Sequence, residues 1–326
     1  MNRLHNTRHL ARVRFVLTFM SACMLLLFGC LDTTSEPAGT ATPAPTSSPP
    51  GWTGKEPFYD LRDLALTPDG TVWAATGDGL LRLQGDAWES VLEGKEANAL
   101  AVGPDGSLLV GVGGQVQRFD GASWETVFTC GEYLPRGKVL DIEFTPDGVV
   151  WIANGFGLAS FDGQGWTTYD RLINSLVVAP DGALWMNGWE GTRDSFYIAR
   201  FDWQRWTTYR GADSYPGGLL VGAVTPDGLL WGTVGERRLA SFDGLSWGDE
   251  ESWTVHPSAD GFALDEVLTM AVGPDGALWV GTTSGAARFD GTWTPYATGH
   301  AVRAIAFGPE GEVWLGTTVI HPAGAK

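Results

Sequence analysis

Leu268-Thr-Met-Ala-Val-Gly-Pro-Asp-Gly-Ala-Leu-Trp-Val-Gly-Thr-Thr283, followed by Ala287-Arg-Phe-Asp-Gly291 and Trp293, is the fullest copy of a phrase that runs down the chain. Its Pro-Asp/Glu-Gly core begins at Pro68, Pro104, Pro146, Pro180, Pro226, Pro274 and Pro309, at intervals of 34 to 48 residues. Seven copies at such a period predict a repeat architecture, in which each unit buries its apolar surface on its neighbours. The apolar segments last four to six residues, are rich in Val, Leu, Ile, Trp and Phe, and are punctuated by Gly and Pro too often for helices. The expectation is an all-β, seven-bladed β-propeller with four-stranded antiparallel blades.

Within the sixth copy the pattern predicts a first strand over Val267–Val272, a second over 277–282, a third over 286–289 and a fourth over 292–295. Pro-Asp-Gly makes the first turn: Pro presets its φ, Asp caps it, and Gly takes the positive φ that closes it. Phe-Asp-Gly, at Phe119, Phe161, Phe242 and Phe289, does the same between the third and fourth strands. The fourth copy has Phe201-Asp202-Trp203 instead, which predicts a different turn geometry there. Two tryptophan registers recur. Trp73, Trp151, Trp185, Trp231, Trp279 and Trp314 stand five places after the Pro, and Trp88, Trp124, Trp166, Trp206, Trp247 and Trp293 open the fourth strand. Rings at fixed blade positions are read as interblade core. Three places before the Pro stand Ala65, Ala101, Ala223, Ala271 and Ala306, small enough for strands that crowd an axis, with Glu143 and Val177 as exceptions.

The last copy runs out after its second strand, so a fourth strand borrowed from Gly51-Trp52-Thr53 is expected to cover the open sheet edge.

Upstream of the repeats, residues 1–29 carry Arg3, Arg8, Arg12 and Arg14 ahead of an apolar run over 15–29. That run rises only about 22 Å as a helix, shorter than a bilayer core, and reads as an export signal. Leu27-Phe28-Gly29-Cys30 resembles the lipobox of bacterial lipoproteins, which implies acylation of Cys30 and anchoring to a membrane facing the periplasm or cell exterior. Residues 30–51 are rich in Pro, Thr and Ser and read as an extended tether, leaving 52–326 as the propeller. Cys130 is then without a disulfide partner, because Cys23 departs with the signal. The chain has a formal net charge of −17, and loss of the four leader arginines takes the exported part to −21. So acidic a body repels phosphate backbones, which excludes nucleic acid as a partner.

The string Pro-Asp-Gly-x-hydrophobic-Trp-hydrophobic-Gly-Thr-x-x-Gly, clearest from Pro274 to Gly285, resembles the two-component regulator propeller repeat family. The resemblance implies an extracytoplasmic propeller that binds a small molecule, a saccharide or a protein partner; the chain is read as doing so without chemistry and without a cofactor. A second resemblance is to virginiamycin B lyase-like propellers, which use a top-face His with a metal and carboxylates to eliminate across an ester. Its nearest match is Gly299-His300-Ala-Val-Arg303, so the alternative is a metal-assisted lyase or hydrolase using His300. Near His300 the second strands end Gly-Thr-Thr, from Gly281 and Gly316, without the acidic residue that family needs for its metal.

Candidate ligand-binding residues fall in two places. Six positions before the Pro stand Arg62, Asn98, Asn174 and Arg303, against Leu140, Leu220 and Leu268 in other copies, and Asp63 and Asp141 follow one place later. A long loop over 187–197 carries Trp189, Glu190, Arg193 and Tyr197, and a second over 248–266 carries Asp249, Glu250, Glu251, Trp253 and His256. Aromatic rings beside carboxylates suit a sugar: rings stack on its apolar faces and carboxylates accept from its hydroxyls. The acidic run lacks the alternating spacing of a calcium loop. Gly111-Val-Gly-Gly114 lies between strands, so no helix N-terminus awaits a phosphate there. No catalytic motif of the serine, cysteine or zinc hydrolase kinds is present. A monomer is expected.

Overall fold

A computed structural model describes residues 60–85, 87–190, 196–210, 220–234, 238–242, 253–256, 266–297 and 299–318. The export signal, Cys30, the tether and Gly51-Trp52-Thr53 lie outside the described residues. No described helix is long and apolar enough to cross a membrane.

Each repeat folds as the Pro-Asp-Gly phrase dictates. The first blade is β1 (Leu61–Leu66), β2 (Val72–Thr76), β3 (Gly79–Gln84) and β4 (Ala87–Glu93). The second is β5 (Ala97–Val102), β6 (Leu108–Val112), β7 (Gln115–Phe119) and β8 (Trp124–Thr129), and the third β9 (Asp141–Phe144), β10 (Val150–Ala153), β11 (Leu158–Phe161) and β12 (Trp166–Tyr169). The fourth comprises β13 (Leu172–Val178), β14 (Leu184–Trp189), β15 (Phe196–Phe201) and β16 (Trp206–Arg210). The fifth comprises β17 (Leu220–Val224), β18 (Leu230–Val234), β19 (Arg238–Phe242) and β20 (Trp253–Val255), and the sixth β21 (Val267–Val272), β22 (Leu278–Thr282), β23 (Gly285–Phe289) and β24 (Trp293–Ala297). All six are antiparallel meanders. The seventh repeat forms only the two-stranded sheet β25 (Ala301–Phe307) and β26 (Val313–Thr318).

The described propeller therefore has six four-stranded blades, and the expectation of seven is corrected. Among the described residues the seventh repeat supplies its Pro-Glu-Gly turn and the hairpin around it, but no third or fourth strand. Its two strands still matter, because β25 packs on both β21 and β1 and so closes the ring of first strands. Leu61 and Leu64 of β1 are buried with Ala304 and Ala306 of β25 at this seam.

Turn chemistry explains the repeat. All seven glycines of the Pro-Asp/Glu-Gly turns have φ between 79° and 86°, a region closed to most side chains. Asp69 Oδ1 accepts from the Thr71 amide at 3.0 Å and from Thr67 Oγ1 at 2.6 Å, and Asp105, Asp181 and Asp275 accept alike from the residue two places on. In Phe201-Asp202-Trp203 the expected change of geometry does not occur. Trp203 takes φ 71°, the left-handed conformation that Gly121, Gly163 and Gly291 take in their copies. Asp202 Oδ1 still accepts from the amides of Gln204 and Arg205, and the indole donates to Gly182 O at 3.1 Å. These bonds offset the steric cost of a side chain there, about 1–2 kcal/mol.

Between blades, Trp73, Trp151 and Trp231 are almost fully buried and meet the edges of Phe119, Phe201 and Phe289 of the following blade. Trp88, Trp124, Trp166, Trp206 and Trp293 of the fourth strands are only half-buried, capping these contacts from the rim. The fifth blade corrects the sequence register. Phe242 pairs with Trp253, as Phe119 pairs with Trp124 and Phe289 with Trp293. Trp253, not Trp247, opens the fourth strand, because extra residues separate it from the third.

Candidate functional site

In each meander the first strand starts, and the second ends, at the same edge of the sheet, here called the upper face. Five first strands carry a β-bulge there. Between Leu61 and Asp63, Arg62 has no partner on β2, and Asn98, Asn174, Leu268 and Arg303 are the extra residues of their own strands. A bulge re-aims one side chain out of the alternating pattern. The four polar positions singled out in the sequence share this device, whereas the fifth blade places its bulge at Gly222.

These residues do not form one site. Arg62 donates to the side-chain oxygen of Asn98 on the next blade, pairs with Asp60 at 3.0 Å and approaches Glu96 at 3.8 Å. Lys138 also pairs with Glu96, and its hydrogen bond lowers the carboxyl's pKa. Asn98 Nδ2 is buried without a hydrogen-bond partner among the described residues. Arg303 stands exposed on β25.

Just inside the bulges lie three carboxylates whose environment the sequence did not disclose. Asp63 Oδ2 accepts from the Leu100 amide of the next blade at 2.8 Å, and Oδ1 from Leu64. Asp141 repeats the arrangement, with Oδ2 on the Leu176 amide at 2.7 Å and Oδ1 on Ile142. Each carboxylate thus clasps two first strands together. Glu143, two places along β9 from Asp141, shares its strand face and has no hydrogen-bond partner among the described residues. All three keep some exposed surface, yet the surrounding protein withholds enough water to raise them. Burial pushes Asp63 up to about 7 and Asp141 to about 6 against their backbone bonds. Burial, with repulsion from Asp141 and Asp63, raises Glu143 well above the usual carboxylate range. No three described His, Cys, Asp or Glu side chains converge as metal ligands.

A second feature of the upper face is a cavity of about 360 Å³ on the fourth blade, lined by Asp170, Arg171, Leu172, Trp189, Glu190, Tyr197 and Thr208. The loop read as 187–197 is shorter than expected, because β14 runs to Trp189 and β15 starts at Phe196. Arg193 lies outside the described residues. Trp189 is half-buried, and its Nε1 donates to Gly155 O of the third blade at 3.4 Å. Tyr197 is buried, its ring laid over Gly188 where a Cβ would overlap it. Asn174 borders Gly155, beside the exposed apolar side chains of Leu140 and Phe156. The structure therefore brings Trp189, Glu190 and Tyr197 together, with Asn174 across Gly155. Arg171 and Asp170 were missed, since they precede a strand without any motif.

Most of the second candidate loop lies outside the described residues. Asp249, Glu250 and Glu251 lie outside the described residues, and His256 belongs to the core between blades. Its ring stacks on Trp231 at 4.6 Å, its Nε2 meets Ser241 Oγ at 2.9 Å, and burial lowers its pKa. His300 sits half-buried just ahead of β25. Cys130 is half-buried, accepts from Asn154 Nδ2 at 3.4 Å, and is raised by burial, which suits an inert thiol.

No family model matches the chain, and no curated protein sequence matches it. Solved structures do share its fold. A structure of YCF48 bound to D1 peptide is 15% identical with a TM-score of 0.62, covering 81% of this chain and 90% of that one. Virginiamycin B lyase from Staphylococcus aureus is 14% identical with a TM-score of 0.59, covering 79% and 92%. The extracellular domain of BT4673 from B. thetaiotaomicron, assigned to a hybrid two component system, is 14% identical with a TM-score of 0.60. That match covers 79% of this chain but 37% of the other. Both architectures resembled in sequence are thus among the structural neighbours, and at such identities they speak for the propeller fold alone.

Proposed function

We propose that this chain is an exported propeller, lipid-anchored through Cys30, that binds a saccharide on its upper face and performs no chemistry. The observation that carries the reading is the fourth-blade cavity, where Trp189 and Tyr197 stand with the carboxylates of Asp170 and Glu190. A half-buried indole offers a face for the apolar side of a sugar ring, and carboxylates accept from hydroxyls. At about 360 Å³ the cavity falls at the small end of ligand pockets. Extracytoplasmic placement is supported by the lipobox-like Leu27-Phe28-Gly29-Cys30 and by the extracellular domains among the structural neighbours. Sensing on behalf of a separate signalling partner is consistent with those same neighbours.

The test is a thermal-shift screen of the chain against oligosaccharides, repeated on Trp189→Ala and Trp189→Phe. A hit is expected to weaken at least tenfold in Trp189→Ala and to be largely kept in Trp189→Phe, which retains a stacking face. Equal binding by wild type and Trp189→Ala would remove the cavity from the reading. Labelling with a radioactive fatty acid that disappears in Cys30→Ala checks the anchor.

A further inference from the structure

Among the described residues that line the fourth-blade cavity there is one cation, Arg171, and its setting specifies the ligand more narrowly than a saccharide in general. Arg171 lies immediately ahead of β13, with its guanidinium 4.3 Å from the ring centre of Trp206. Nη1 donates to Thr208 Oγ1 at 3.4 Å, and Trp206 is itself held edge-on by Tyr169 at 5.5 Å. The cation is thus stacked and oriented, and no described carboxylate pairs with it. Arg62, Arg82, Arg118, Arg200 and Arg288 pair with carboxylates, whereas Arg171, like Arg136, Arg205 and Arg303, has no ion-pair partner among the described residues, and of these Arg171 alone lines the cavity. Its sequence neighbour Asp170 lines the same cavity without forming a bridge to it.

Resting on the saccharide reading above, we infer that this cavity selects a sugar bearing a carboxylate, such as a uronic acid, whose carboxylate docks on the free edge of Arg171. A planar guanidinium fixed against a ring presents parallel donors that match a carboxylate in two hydrogen bonds. The remainder of the sugar then lies towards Trp189 and Tyr197, with Asp170 and Glu190 as acceptors for its hydroxyls. Among the described lining residues, the Arg171 edge is the place that favours a negative group. An acidic protein needs such a fixed cation to hold an anionic ligand at all, because its general field opposes one.

The experiment measures binding of galacturonic acid trimer and of the neutral galactose trimer to the chain, by calorimetry, for wild type, Arg171→Gln and Arg171→Lys. The acid trimer is expected to bind at least tenfold more tightly than the neutral one. It should weaken roughly tenfold to a hundredfold in Arg171→Gln, the range set by losing a charge-assisted bidentate pair. Arg171→Lys keeps the charge but not the fork and should fall between. Binding of the neutral trimer should change less than threefold in either variant. Neutral and acid trimers binding alike, or an acid trimer indifferent to both variants, overturns the carboxylate inference and leaves the saccharide reading standing. Binding of no saccharide, acid or neutral, overturns both.

Discussion

Glu143 is the residue at which the repeat departs furthest from its own rule, replacing an alanine on the strand that faces the axis. Its cost shows in the pH dependence expected of the whole protein. Asp63, Asp141 and Glu143 hold protons in the folded state that the unfolded chain, with carboxyl groups near 4, has already lost. Folding is therefore most favoured by these groups below about pH 4 and loses their contribution as pH rises towards 7. The shallow turn carboxylates act in the opposite sense: hydrogen bonds lower Asp69, Asp105 and Asp275, so their small, solvent-screened contribution is lost as pH falls below their usual range. A melting temperature higher at pH 5 than at pH 8 is expected. Glu143→Gln should raise the value at pH 8 and narrow the gap, since a neutral amide removes the cost of keeping a carboxyl buried beside Asp63 and Asp141 when the unfolded chain prefers it ionised. A gap of unchanged size in Glu143→Gln would show that the three groups do not interact.

Among the elements, the fifth blade shows how a strand keeps its register through an insertion. His256 stands three places after Trp253, where Tyr169, Tyr209 and Tyr296 stand three places after Trp166, Trp206 and Trp293. Like those rings, it stacks on the second-strand indole, here Trp231. His256→Tyr is therefore expected to preserve stability within about 1 kcal/mol, whereas His256→Ala should lose roughly 1–3 kcal/mol through the missing stack and contact area. Chemical denaturation of the two variants separates these outcomes. Equal losses would mean that the histidine is held for its bond to Ser241 rather than for its ring. The same reasoning shows why Trp253 was misread: a motif count stops at the first Trp after Phe-Asp-Gly, while pairing is decided by which residue the sheet can reach.

For the whole molecule, closure depends on the seam where β25 meets β1. Gly316 belongs to this seam, since a Cβ there would overlap Leu61 and come within 2.8 Å of Leu64. Leu64→Ala is expected to cost about 2–5 kcal/mol, the usual range for a buried leucine. Because, among the described residues, the ring has one seam built on a two-stranded sheet, the variant should also open to protease there before elsewhere. Mass spectrometry of early proteolytic fragments tests this, and first cuts in the second or third blade would count against a weak seam.

The primary structure alone determined the repeating unit, its turns and its strand order, because proline, aspartate and glycine act on φ and on amides only a few residues away. It also drew attention to the bulge residues and to Trp189, Glu190 and Tyr197, since these break a pattern that the other copies keep. Tertiary structure alone decided the number of complete blades, the divorce of Arg62 and Asn98 from the fourth-blade cavity, the recruitment of Arg171, and the burial of Asp63, Asp141 and Glu143. Each of these depends on what an adjacent blade presents across the interface, and such distances and desolvation arise only when residues some 35 apart are packed side by side.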